Sequence, residues 1–171
     1  MEIGYIAVET FIPLKSYVDW SKLYQLKEVI SFDCALCPRI IDYTEDDYSH
    51  VIWMGENCFC KDLDWLIKKV EDKLDKQILT IAREPELDCR NFLSDARFKF
   101  YGYDLIEDDT RISALTNCGG FKKAFYPKDI SKYGLIEDFT KAKEVQLKLK
   151  VEYPGECHAD CALWAIWRME G

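Results

Sequence analysis

No run of apolar residues in this chain approaches the ~18–20 that a membrane-spanning helix needs. The opening residues Met1-Glu2-Ile3-Gly4 carry neither the basic nor the apolar stretch of an export signal. Histidine is scarce: His50 and His158 are the two in the chain, which confines imidazole chemistry to two positions. The 8 glycines and 5 prolines do not gather into a linker, and there is no internal repeat. Also missing are G-x-G-x-x-G, Walker A, H-E-x-x-H and G-x-S-x-G. Dinucleotide, nucleotide-phosphate, zinc-protease and serine-hydrolase sites therefore have no support, and no cofactor is expected. Basic residues are in deficit, 23 Lys and Arg against 31 Asp and Glu, for a net charge of −8. That balance excludes nucleic acid and anionic membrane surfaces as expected partners, because both require a basic footprint.

What is present specifies a folded protein. At 171 residues the chain fits one globular domain over 1–171. Aromatic residues make up 14%, with 5 Trp and 10 Tyr, which excludes low-complexity disorder. Eight cysteines stand at Cys34, Cys37, Cys58, Cys60, Cys89, Cys118, Cys157 and Cys161. A domain of this size buries roughly 70% of its unfolded surface and needs no disulfide framework. Reduced thiols and a cytoplasmic location are the expectation.

Local patterns predict an α+β fold, with a mixed, mainly antiparallel sheet of six or seven strands covered by two substantial helices. Strands are expected at 3–11, 29–36, 51–54, 77–83 and 162–167, and a hairpin from 98–105 and 112–118. The 162–167 segment is apolar on both faces, as a central strand would be. Helices are expected at 61–74 and 137–151. In the first, Leu63, Leu66, Ile67, Val70 and Leu74 fall on one face at a 3.6-residue period. Shorter helices are expected from Asp19 or Ser21 through Leu26, and over 128–133.

Three function classes follow. Cys34, Cys37, Cys58 and Cys60 form C-x2-C-x20-C-x-C, close to a four-cysteine zinc spacing, and suggest a zinc-stabilised interaction module. The glycines zinc knuckles usually carry after the second cysteine are absent, since Pro38 and Lys61 occupy those positions. Cys118 precedes Gly119-Gly120, which could expose amides as an oxyanion hole. With His158 as general base, oriented by Asp160 or Asn117, it suggests a cysteine-dependent hydrolase or transferase.

The third class rests on charge. Acidic residues cluster at Asp42, Glu45, Asp46 and Asp47, at Glu84, Glu86 and Asp88, and at Asp104, Glu107, Asp108 and Asp109. None has the alternating pattern of a calcium loop. Clusters converging on one face would steer a cationic protein partner, with interleaved aromatics as anchors. The expected contact residues are Asp46, Asp47, Tyr48, Tyr103, Glu107, Asp108 and Asp109. In size, charge and class, though through no motif, such a protein is similar to bacterial immunity proteins. The leading expectation is thus a small acidic intracellular binding protein, an antidote to a basic toxin domain.

Overall fold

The computed structural model describes residues 1–119, 121 and 123–171. Its frame is one six-stranded sheet, antiparallel at every pairing. The strands are β1 (Gly4–Glu9), β2 (Val51–Met54), β3 (Asn57–Cys60), β4 (Lys76–Arg83), β5 (Phe98–Ile106) and β6 (Ala162–Met169), in spatial order β2-β3-β1-β4-β6-β5. The helices are α1 (Lys15–Ser21), α2 (Leu63–Lys69) and α3 (Phe139–Glu152). The expected α+β class and antiparallel sheet are present. β6 pairs on both sides, with β4 and β5, and is buried on both faces from Ala162 to Trp167, which is why that stretch reads apolar.

Both longer helical segments pack on the same sheet face. Ala7 pairs with Ile78 and packs with Leu63, Leu66 and Val70 of the α2 segment. Ala82, four residues on from Ile78, pairs with Ala165, and Ala165 with Tyr103, whose ring meets Phe139 of α3 at 5.4 Å. Asp62 caps α2 by accepting Trp65 N–H at 3.1 Å, and Asp138 caps α3 by accepting Lys141 N–H at 2.7 Å. α2 is shorter than its apolar pattern suggests, and Leu74 is left 87% exposed beyond it.

The opposite face is covered by irregular chain. Trp164 is fully buried there against Phe32 and Phe59, at 4.9 and 5.5 Å between ring centroids. Burial of each such side chain contributes roughly 1.5–3 kcal/mol. The 29–36 segment, expected as a strand, is a loop. Asp33 is its reason: the carboxylate accepts the amides of Ala35 and Leu36 at 2.8 and 2.9 Å, closing a turn that competes with a ladder. Ser113 does the same at 112–118. Its hydroxyl accepts Leu115 N–H at 3.2 Å, and the expected hairpin is reduced to a single Ile106–Ser113 bridge. The short helix expected near Leu26 lies earlier, as α1, and the one at 128–133 contracts to a 3-10 turn over Pro127–Asp129. β3, unannounced by any apolar run, completes a hairpin with β2.

Two glycines allow close approaches. Gly102, at φ 141°, sits at a bulge, and a Cβ there would come within 2.8 Å of Ile136 O. Its absence lets 135–136 pair with the β5 edge through reciprocal Tyr103–Ile136 bonds of 2.8 and 3.0 Å. Gly55, at φ 63°, forms the β2–β3 turn, where a Cβ would meet Arg83 Nε at 2.7 Å and Asp108 Oδ2 at 2.8 Å.

Candidate functional site: an acidic rim at one end of the sheet

The C-terminal ends of β4 and β5 and the N-terminal end of β6 lie side by side. Around them the chain sets a shallow depression of about 230 Å³. Its lining includes Glu56 from the β2–β3 turn, Glu84 after β4, Glu107, Asp108 and Asp109 after β5, and Asp160 before β6. Against these stand Arg83 and Lys150. Part of the second acidic cluster therefore meets the third, joined by Glu56 and Asp160, which no local pattern in the sequence connects to them.

Each carboxylate has a distinct role. Asp108 takes Arg83 in a two-pronged contact, 2.5 Å to Nη2 and 3.3 Å to Nε, and its carbonyl accepts Asn57 Nδ2 at 2.9 Å. Glu107 Oε2 lies 2.5 Å from His158 Nδ1 and 2.8 Å from Thr110 Oγ1. Glu84 accepts Gln146 Nε2 at 2.7 Å and Leu163 N–H at 2.9 Å, fixing α3 to the end of β6. The Glu56 carboxyl is held above its usual range, first by a hydrogen bond with Asp109 and then by that neighbour's charge. Asp109 and Asp160 are exposed. Glu84 and His158 both hold positive φ, 48° and 64°, a conformation disfavoured for residues other than glycine.

The first cluster stands elsewhere. Asp46, Asp47 and Tyr48 lie on a 3-10 turn, Glu45–His50, that enters β2 at the end opposite Gly55. Asp47 serves that turn, accepting Thr44 N–H and Oγ1 at 2.9 and 3.1 Å, while Tyr48 is 60% exposed. Trp53, 63% exposed on edge strand β2, lies between the two acidic groups along the chain. Tyr103 does not belong to any face: it is fully buried, and its hydroxyl bonds Asp88 at 2.8 Å and accepts Cys89 N–H at 2.7 Å. Its aromatic strand pattern reads equally as core or as anchor, and burial makes it core.

The thiols divide. None of the eight cysteines is in a disulfide. Cys34, Cys37, Cys58 and Cys60 turn to four different partners: Thr110 O at 3.0 Å, Val29 O at 3.6 Å, Arg39 Nη1 at 3.8 Å and Asp62 O at 3.0 Å. The expected zinc set does not converge, because the 29–37 loop buries Cys37 and exposes Cys34. Among the described residues no group of three or more His, Cys, Asp or Glu side chains is arranged to hold a metal ion.

Cys118 Sγ lies 3.8 Å from the Cys157 carbonyl, beside His158 in the chain. The acid that orients His158 is Glu107, not Asp160. Asn117, the other orienting candidate, instead donates to Asp33 at 3.2 and 3.3 Å. Gly120, half of the expected oxyanion hole, is outside the described residues. No helix among the described residues is long and apolar enough to cross a membrane. No protein-family model, no curated protein and no solved structure matches the chain.

Proposed function

We propose that this is an acidic intracellular protein that binds a cationic protein partner through the rim at the ends of β4, β5 and β6, as an immunity-type antidote binds a basic toxin domain. The observation that carries the reading is the gathering of Glu56, Glu84, Glu107, Asp108, Asp109 and Asp160 around one depression. At about 230 Å³ that depression falls below the ~300–1,000 Å³ usual for small-molecule pockets, which favours surface recognition. A field of one sign steers an oppositely charged partner and accelerates encounter. Asp109 and Asp160 are exposed and suit direct contact, while Asp108 is committed to Arg83. Asp46, Asp47 and Tyr48, with Trp53 nearby, offer a second, separate contact region.

The test is affinity capture from a cell extract at roughly 50 and 500 mM salt, across which the Debye length shrinks several-fold. The native protein retains a basic partner at low salt and loses most of it at high salt. A D109K/D160K variant, changed at two exposed positions, loses that partner while its melting temperature does not fall. Retention of the same partner by the variant overturns the reading.

A second reading, a cysteine-dependent hydrolase or transferase, draws support from the Glu107–His158 contact, which holds an imidazole as a general base is held. It assigns Cys118 as the nucleophile. An unchanged turnover of activated thioester and ester substrates in Cys118→Ser rejects it.

A further inference from the structure

The sheet treats its two edges differently. The β5 edge is covered: 135–136 bonds across it at Tyr103, 112–118 bridges it at Ile106, and a bulge beside Gly102 breaks its regularity. Against the β2 edge no strand or bridge lies among the described residues. Its register with β3 is unbroken from Val51–Cys60 to Met54–Asn57. Val51-Ile52-Trp53-Met54 also holds no lysine and no proline, the residues that usually keep another strand away from an open edge.

The phase of the ladder fixes what that edge offers. Bonded and non-bonded pairs alternate along antiparallel strands, and Lys61 N–H donates to His50 O at 2.8 Å just beyond the last pair. Ile52 and Met54, at even steps from His50, therefore bond inward to Phe59 and Asn57, while Val51 and Trp53 turn their backbone groups outward. Tyr48 O takes Val51 N–H. Trp53 N–H, Trp53 C=O and Val51 C=O face outward with no backbone partner among the described residues. The Trp53 side chain is itself 63% exposed.

Carboxylates bracket this edge. Glu45 and Asp46 are exposed just before β2, and Glu56, exposed in the turn after it, shares the rim with exposed Asp109. Their neighbours Asp47 and Asp108 pair with Lys69 and Arg83, whereas these four form no ion pair among the described residues. A second copy laid against β2, in either direction, would set acid against acid at both ends. A basic chain would meet complementary charge there.

We propose that the open edge of β2 receives an extended segment of a protein partner, added to the sheet as a further strand, with basic residues at both ends of a β-branched centre. The inference rests on the reading of this protein as a binder of a cationic partner, and supplies the mode of binding. Backbone bonds at Trp53 hold the segment, its indole covers one face, and the flanking carboxylates select its charge. At ~3.4 Å per residue, about five extended residues span β2 and carry their flanking charges to both acidic ends.

The experiment titrates the full chain with a peptide of alternating valine and threonine flanked by lysines. The controls are the same peptide flanked by glutamates, and the lysine peptide N-methylated at all its central amides. Binding is read by NMR, through backbone amide shifts and the hydrogen exchange of Trp53 N–H. The lysine peptide binds saturably, more weakly as salt rises, and at saturation slows exchange at Trp53 at least ~tenfold. The glutamate and N-methylated peptides each bind at least ~tenfold more weakly. Trp53→Pro removes the outward N–H without touching a β2–β3 bond, as an edge strand allows. It weakens lysine-peptide binding more than Trp53→Val, which keeps that N–H. The proposal fails if the lysine peptide does not bind, if either control peptide binds as well, or if Trp53→Pro binds like Trp53→Val. It fails also if the Trp53 amide is already protected in the concentrated chain alone, which would put a second copy on the edge. Salt-sensitive binding of the lysine peptide that ignores N-methylation overturns strand addition and leaves acidic recognition standing. The wider reading falls separately, in the salt-dependent capture of a basic partner.

Discussion

His158 Nδ1 meets Glu107 Oε2 at 2.5 Å, and this contact ties the loop entering β6 to the loop leaving β5. The two strands already pair at Ile106–Ala162, so the side chains extend the junction beyond the last backbone pair. Both are mostly shielded, with side-chain exposures of 26% and 20%. Replacing Glu107 by Gln or His158 by Ala should each cost about 1–2 kcal/mol in urea unfolding. The double variant should cost clearly less than the sum, because both changes remove the same contact. Additive losses would show that the two side chains act separately.

A different relationship sets the pH dependence of folding. Asp104 is fully buried, and burial pushes its carboxyl up to about 6 from 3.8, against hydrogen bonds from Ser31 and Ser113 at 2.6 Å each. Below the unfolded value both states hold the proton and Asp104 imposes no penalty. As pH rises through the interval between about 4 and 6, the unfolded chain ionises first, so stability falls. Above that interval the loss is complete, on the order of 3 kcal/mol. Asp104→Asn should therefore flatten the decline between about pH 4 and 7 in a series of urea melts. If native and variant proteins show parallel slopes there, the buried acid is not its source.

The same network explains which parts of the fold are legible in the sequence. α3 announces itself because its burial follows a helical period, and β4 and β6 because both of their faces are buried. The 29–36 and 112–118 segments carry apolar residues too, but Ser31, Asp33 and Ser113 bury their polar ends together across 73 to 80 residues of chain. A local window sees only that these residues interrupt a strand pattern, not that they satisfy one another. The rim is half legible for a related reason. Glu107, Asp108 and Asp109 are a visible run, whereas Asp160 joins it because β6 enters the sheet beside the end of β5, and Glu56 because the loop after β5 reaches across to the β2–β3 hairpin, where Asn57 donates to Asp108 O. Tyr103 misleads because an aromatic on a strand can face core or solvent, and the choice is made by α3.

Gly102 offers a stability test of that edge. Its φ of 141° is foreign to residues with a Cβ, and the Cβ would stand 2.8 Å from Ile136 O. Gly102→Ala must push 135–136 away from β5 or shift the bulge, at a cost of roughly 2–4 kcal/mol. Hydrogen exchange should show the amides of Tyr103 and Ile136 losing protection before those of β6. Unchanged exchange at both amides would mean that the edge tolerates a side chain.

The Glu56–Asp109 contact should oppose stability to binding. Two carboxyl groups in hydrogen-bond contact share a proton at low pH and repel once both ionise, and the pairing holds Glu56 above its usual range. Glu56→Gln keeps a hydrogen-bond donor for Asp109 and removes the repulsion, so it should raise the melting temperature at neutral pH. The gain should disappear in acid, once the native pair holds its proton. The same change takes one negative charge from the rim, so association with a cationic partner should slow, and its dependence on salt should become shallower. A rim shaped only by folding would give the first effect without the second, since nothing would be recruited by the lost charge. A variant that is both more stable and slower to associate would show that the repulsion is retained for recognition.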